Sequence, residues 1–375
     1  MTSLTIGNGV TEIEESSFHS CENLESVYIS DLSAWCKINF EDNPLRYYAK
    51  LYLNNDEVTE LIIPDDIIEI NKGAFECCES LTSVTIPNNV TMIGASAFSG
   101  CSSLASVTIG NGVTEIGASA FCSCSSLASV TIGNGVTEIG EKAFYDCDAL
   151  TSITIPDNVT YIGDEAFEVC NALTSITIPD NVTYMGDEAF FACSSLASVT
   201  IGNGVTRIGK GLFSCCSSLT SITIPDNVTY IGDKAFEGCS SLASVTIGNG
   251  VTSIGAEAFH SCSLTSITIP DNVTEIGERA FQFCNALTSV SIGKSVHFIY
   301  SYAFANCPSL IECYCYATNP PVLTCSDVMG TKWDNFPPKT EESTLYVPAG
   351  CSSKYKDTVN GLWAKFFNNI IEMEE

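Results

Sequence analysis

Twenty cysteines in 375 residues invite disulfide, metal or redox chemistry. Eleven of them, Cys78, Cys101, Cys124, Cys147, Cys170, Cys193, Cys216, Cys239, Cys262, Cys284 and Cys307, recur at one position of a regular spacing. In stacked coils such rungs lie about 4.8 Å apart with parallel Cβ vectors. A disulfide needs Cβ atoms about 3.8 Å apart and turned toward each other. The eleven therefore read as a ladder of buried free thiols, packing as small hydrophobes. Such a ladder fits a reducing or anaerobic setting better than an oxidising one. Cys77, Cys122 and Cys215 stand beside it and read as more exposed. Cys313, Cys315, Cys325 and Cys351 gather near the C-terminus, where Cys-x-Cys departs from the Cys-x2-Cys of a zinc knuckle.

Other chemistry is sparse. His19, His260 and His297 are too far apart in sequence to converge as zinc ligands, and none has a matched nucleophile. Gly110-Asn111-Gly112 and its copies lack the Gly-Lys-Ser/Thr of a phosphate loop and exchange with Pro-Asp-Asn, so they read as a turn variant. Asn89, Asn158, Asn181, Asn227 and Asn272 fit the Asn-x-Thr glycosylation pattern, but their spacing follows a repeat and reads as coincidence. Asp157, Asp180, Asp226 and Asp271 are acidic turn residues without the nonapeptide calcium repeat. No enzyme, cofactor or metal is expected.

The element that positions all of these is the repeat. Leu81, Leu104, Leu127, Leu150, Leu173, Leu196, Leu219 and Leu242 stand 23 residues apart, and Leu264, Leu287 and Leu310 continue after one deletion. Val58, Leu24 and Met1 extend the register backwards. In the unit 150–172, Ile153 and Ile155 alternate across a short strand, with Ser152 and Thr154 on its other face. Pro156-Asp157-Asn158 makes a corner. Val159 and Ile162 point inward from a second extended piece, Gly163 permits a bend, and Asp164 caps a short helical turn carrying Ala166, Phe167 and Cys170. One unit cannot bury its apolar edge; stacked units bury it against both neighbours.

Hydrophobic residues make up 45% of the chain, too many for disorder, and no stretch approaches the roughly 20 apolar residues of a membrane span. A formal charge of -29 repels nucleic acid and anionic lipid. The first residues carry no secretory signal, and Met1 stands where a repeat leucine belongs, so the chain is expected to open inside its own array without an N-terminal cap.

The pattern L-x-x-[IV]-x-I-[PG]-x-x-V-x-x-[IM]-G-x-x-A-F-x-x-C, present from Leu81 to Cys307, resembles the BspA-like leucine-rich repeats of surface and secreted proteins. Leu212 and Tyr300 depart from it. The run from Thr344 to Gly350, with Tyr355 and 363–371, looks like the closing module common in such bacterial proteins. The resemblance implies a right-handed α/β repeat solenoid with parallel sheets and short helical turns, displayed on or released from an anaerobic microbe. It implies a protein or glycan partner on host, matrix or other cells. The expected organisation is 1–29 N-terminal repeats, 30–57 an irregular insertion, 58–310 regular repeats and 311–375 a C-terminal cap of loops, a strand and a final amphipathic helix.

Two surfaces are candidates for contact. One is the hydroxyl row of the strands, with Thr154, Thr177, Thr200 and Thr223; the same residues also suit the wet face of a sheet. The other is the insertion, with Trp35 read mainly as core and Tyr47 and Tyr48 as surface anchors. Tyr161, Tyr184 and Tyr230, at one shared repeat position, add a third aromatic row. The alternative reading is a purely structural surface or secreted repeat protein, and an ice- or mineral-binding hydroxyl lattice and a calcium-binding row of turns are further rivals.

Overall fold

The computed structural model describes residues 1–47, 49–324, 335–337, 340–357 and 362–374. These pack into two units, Met1–Ser194 and Ser195–Glu375. Each is a parallel β-solenoid in which a coil lays down a long strand, a corner, a short strand and a run of turns. In the first unit, long strands Glu60–Ile62, Ser83–Ile86, Ser106–Ile109 and Ser129–Thr131 form one sheet. Pairing is residue for residue, Val84 with Val107 and Ile86 with Ile109. Six short strands, from Glu69–Ile70 to Tyr184–Met185, form a second sheet. The second unit repeats the plan, and its largest long-strand sheet runs from Ser266–Ile269 to Asn369–Glu372.

Identical residues in register make the core. Leu104, Val113, Ile116, Ala120, Phe121 and Cys124 are fully buried in one coil, and their repeat-mates are buried above and below. Phe75, Phe98, Phe121, Phe144, Phe167 and Phe190 stack with centroids 5.2–5.4 Å apart in the first unit. Phe213, Phe236, Phe259, Phe281 and Phe304 stack in the second, at 5.1–5.6 Å. Within each unit every inner ring meets a ring on either side, so burial depends on the stack and not on the single coil.

The third side of the coil corrects the expected helical turn. Residues 164–169 are successive hydrogen-bonded turns, with Glu168 N–H donating to Glu165 O at 3.1 Å and Cys170 N–H to Phe167 O at 3.3 Å. Glu165 and Val169 are left-handed, at φ 54° and 59°. This backbone sends alternate N–H groups out of the coil: those of Glu165, Phe167 and Val169 donate to Asp187, Ala189 and Phe191 O of the next one at 2.8–3.0 Å. An α-helix would consume the same donors internally. Left-handed conformation costs a non-glycine residue roughly 1–2 kcal/mol, and the ladder between coils offsets that cost at every step. Asp164 caps no helix; its Oδ1 accepts the Asp187 N–H of the next coil at 2.9 Å. Glycine after the short strand is required by close approach and not by φ, since a Cβ on Gly117 would stand 2.6 Å from Ile93 O.

A ladder of this kind leaves carbonyls open at one edge and N–H groups at the other, and irregular segments close both. Between Leu24 and Val58 lie a helix, Leu32–Cys36, a 3₁₀ turn, Pro44–Tyr47, and an antiparallel hairpin, Lys50–Leu53 with Asp56–Glu57. From here Asp42 Oδ2 accepts the Phe18 N–H of the first coil at 2.8 Å. Its neighbour Asn43 donates to Gly73 O, and Trp35 Nε1 donates to Ala74 O at 2.8 Å. Adjacent side chains thus splice the turn ladder across the interruption. At the other edge Asn335 O accepts the Phe304 N–H at 2.7 Å.

The final amphipathic helix is not observed. Instead, a short helix, Ser352–Lys356, and a 3₁₀ turn, Leu362–Lys365, lead to a terminal strand, Asn369–Glu372, parallel to Thr344–Val347. The extended backbone satisfies the edge of that strand, which a helix could not do. Trp363 is buried beneath, donating to Pro321 O at 3.0 Å. In the first coil Leu4, Val10, Phe18 and Cys21 are only half-buried.

The long-strand sheets are not continuous. The coil 150–172, whose residues 152–155 were expected to form a strand, pairs there with neither Ser129–Thr131 nor Ser175–Ile178. In the second unit the sheet also breaks between Ser198–Ile201 and Ser221–Ile224 and between Ser244–Ile247 and Ser266–Ile269. Each break precedes a Ser-Ile-Thr-Ile-Pro-Asp-Asn coil. Proline has no N–H for the next rung, so the two corner types are not the interchangeable variants expected.

Candidate binding faces

The cysteine ladder is used up internally. Cys101 Sγ donates to Phe75 O at 3.2 Å, Cys124 to Phe98 O at 3.1 Å and Cys170 to Phe144 O at 3.2 Å, and the second unit repeats this from Cys239 to Cys307. Burial pushes the Cys78 and Cys239 thiols up to about 12, and Cys101 is raised as well, so the nucleophilic thiolate is suppressed. Of the three cysteines beside the ladder, Cys215 is exposed and Cys77 and Cys122 are half-buried. Cys313 and Cys315 occupy the inward strand positions opposite Val290 and Ile292. The Tyr355 hydroxyl donates to Cys315 Sγ at 3.2 Å and to Ala317 O at 2.6 Å. Cys325 lies outside the described residues. Among the described residues no three His, Cys, Asp or Glu side chains are grouped to hold a metal ion.

The corner residues are likewise engaged. Asn158, Asn181 and Asn272 Nδ2 donate to backbone carbonyls of the preceding coil at 2.6–2.7 Å, which occupies the atom a glycan would need. Asp226 Oδ1 accepts Asn249 N–H at 2.7 Å and Asp271 Oδ1 accepts Lys294 N–H at 3.2 Å. These carboxylates are acceptors of a corner ladder, a sufficient structural role without calcium.

The long-strand face remains open to solvent. Thr154 and Thr177 in the first unit, and Thr200 and Thr223 in the second, are all exposed. Ser198, Thr200, Ser221 and Thr223 line a shallow depression with Asn203 and Pro225. The breaks in the sheet interrupt the even rung spacing that an ice lattice would require.

Aromatic pairs stand at the same register position and were missed in the sequence. In the first unit Thr5 pairs with Tyr28 and Tyr28 with Tyr52, whose rings stack at 4.9 Å. In the second, Ser291, Tyr314, Tyr346 and Ile371 follow one another, and the two rings stack at 4.5 Å. All four tyrosines are half-buried. Each unit therefore carries hydroxyl rows and one stacked tyrosine pair on the same face, a combination of adaptable hydrogen bonding and apolar area suited to recognition.

The other aromatic candidates are placed differently. Tyr161 and Tyr184 stack at 4.8 Å on the short-strand side, each ring covering one face of the other as in the pairs Tyr28–Tyr52 and Tyr314–Tyr346. Tyr184 is 47% exposed. Tyr230, in the second unit, is half-buried under the Arg207 guanidinium, 5.4 Å from its ring centroid. In the insertion Trp35 is 1% exposed and packs on Phe40 at 4.9 Å, as core. Tyr47 is half-buried, and Tyr48 lies outside the described residues.

On the turn side, Glu168 Oε2 is buried without a hydrogen-bond partner. Desolvation, with Glu165 and Glu188 beside it, pushes its carboxyl up to about 7. No helix among the described residues is long and apolar enough to cross a membrane.

With this geometry in place, comparisons agree on one kind of relative. Residues 1–46, 46–171, 137–263 and 206–319 match the family described as BspA type leucine rich repeat region (6 copies). A leucine-rich repeat protein from Eubacterium ventriosum is 21% identical, covers 80% of this chain and 81% of its own, and superposes with a TM-score of 0.51, a likeness of fold. One from Bacteroides ovatus is 23% identical over 86% of this chain and 93% of its own, with a TM-score of 0.48. A leucine rich cell surface protein from Faecalibacterium prausnitzii is 26% identical over 84% and 88%, with a TM-score of 0.37. No curated protein matches.

Proposed function

Because the chain belongs to the BspA-type leucine-rich repeat family, we propose that it is a non-enzymatic binding scaffold whose long-strand face holds a protein or glycan partner on host, matrix or other cells. The observation that carries this reading is the combination on that face of exposed Ser/Thr rows with the stacked pairs Tyr28–Tyr52 and Tyr314–Tyr346. Every other polar ladder, of thiols, corner amides and turn N–H groups, is consumed inside the stack. A formal charge of -29 also suits a partner with basic groups. The reading includes display on, or release from, an anaerobic microbe, where a ladder of free thiols would persist.

The test is a glycan and matrix-protein array probed with the purified chain, followed by Thr154→Lys, Thr177→Lys and Thr200→Lys together. Loss of the captured signal in the triple variant supports the face. Unchanged capture removes it. An array without any reproducible hit favours a purely architectural role.

A further inference from the structure

We propose that the Ser-Ile-Thr-Ile-Pro-Asp-Asn coils are built-in compliant joints, at which the long-strand side of the solenoid opens and closes while its other two sides stay fastened. The proposal holds whether or not that face binds the partner argued above.

Two corner types fasten neighbouring coils in two ways. At Gly-Asn-Gly corners the backbone lies directly on the corner before it: a Cβ on Gly110 would stand 2.6 Å from Pro87 C, and one on Gly112 would overlap Asn88 O. Gly110 N–H reaches Ile86 O at 2.9 Å and completes the rung. At Pro-Asp-Asn corners that donor is missing. There the Asn side chain spans the gap instead, Asn158 Nδ2 to Asn134 O at 2.6 Å and Asn272 Nδ2 to Asn249 O at 2.7 Å.

The unpaired steps leave a mark on the residues beside them. Val130, Val199 and Val245, which precede three of the four open steps, are half-buried, whereas Val84, Val107 and Val290, in strands paired on both sides, are buried; Ile153, which precedes the fourth, stays buried with its longer side chain. Proline alone does not open a step. Ser83–Ile86, followed by Pro87, still pairs with Glu60–Ile62; it carries Val84 where the open coils carry Ile153, Ile176, Ile222 and Ile267.

Through the same coils the other two sides are continuous. Glu138 pairs with Tyr161 and Tyr161 with Tyr184 in the short-strand sheet. Phe144 and Phe167 N–H groups donate to Ala166 and Ala189 O at 2.8 Å in the turn ladder. Two fastened sides and one released side make a hinge whose axis runs along the fastened sides. The coil 150–172, released on both of its long-strand edges, is the softest joint of the first unit.

Amide hydrogen exchange on the full chain tests this. Residues 153–155 are expected to exchange about tenfold or more faster than 107–109, since local opening governs protection. In the variant I153V/P156G/D157N/N158G, 153–155 should slow to the level of 107–109. Equal protection of the two segments in the unmodified chain overturns the proposal, as does a folded variant in which 153–155 still exchange fast. Should that variant fail to fold, the reverse exchange V107I/G110P/N111D/G112N is expected to accelerate 107–109, and the comparison within the unmodified chain decides by itself.

Discussion

Coils 104–126 and 150–172 share their leucine, phenylalanine and cysteine rungs, yet one is hydrogen-bonded on all three sides and the other on two. Ser106–Ile109 pairs with a strand above and a strand below, while residues 152–155 pair with none. The core does not distinguish them: Leu104, Phe121 and Cys124 are as fully buried as Leu150, Phe167 and Cys170. What differs is the corner, Gly110-Asn111-Gly112 against Pro156-Asp157-Asn158. Burial and backbone pairing are thus specified by different residues of one repeat, and a coil can keep the first while giving up part of the second.

The largest effects should be blind to that difference. Leu104→Ala and Leu150→Ala are each expected to lower stability by about 2–5 kcal/mol, the usual cost of an emptied core leucine. A markedly smaller loss at Leu150, read from thermal unfolding, would show that the open coil is loosely packed and would break the comparison. Next come the corners. Gly112→Ala forces a methyl against Asn88 O and is expected to cost about 1–3 kcal/mol or more, as overpacking does. Asn158→Ala, at the equivalent position of the open coil, removes one amide bond to Asn134 O and should cost only about 1 kcal/mol. Equal losses would mean that the corners are not different in kind.

The smallest effect is a pH dependence. Glu168 occupies in the open coil the position that Cys122 occupies in the tight one. Its folded value, about 7, lies above the ordinary 4.5, so the folded chain holds this proton more tightly than the unfolded one. Its destabilising contribution is absent below pH 4.5, grows as pH rises and is complete above about 7. Glu168→Gln is therefore expected to flatten the fall of Tm between those limits. An unchanged slope would place the carboxyl in solvent.

The inward ladders were legible because each rung is nearly one residue type at a fixed spacing, and apolar identity is what burial selects. The turn side was not. Gly163 followed by Asp164 and an Ala-Phe-x-x-Cys run has the composition of a capped helix, and the left-handed positions, glycine at Gly73, Gly100, Gly211 and Gly238, are elsewhere filled by residues such as Ser119, Lys142, Glu165 and Arg279, which dilute the glycine signal. Only the next coil, by taking their N–H groups, decides their conformation. Among the facing tyrosines, Tyr28 and Tyr314 lie four residues after Leu24 and Leu310, in the register of Thr154, and that register was sufficient to find them. Tyr52 and Tyr346 come from the insertion and the cap, where no repeat leucine marks the position. The unpaired strand at 152–155 escaped for the opposite reason: its residues alternate as a strand should, and the missing rung is a proline N–H that only the stack reveals.

Partner binding through the long-strand face is decided by a hydrogen-exchange footprint of the chain with whatever partner the array captures. New protection is expected in the long strands of at least one unit, around Tyr28 and Tyr52 or around Tyr314 and Tyr346, with the turn ladder unchanged. Protection confined to the turn ladder or to the short strands around Tyr161 and Tyr184 would contradict it.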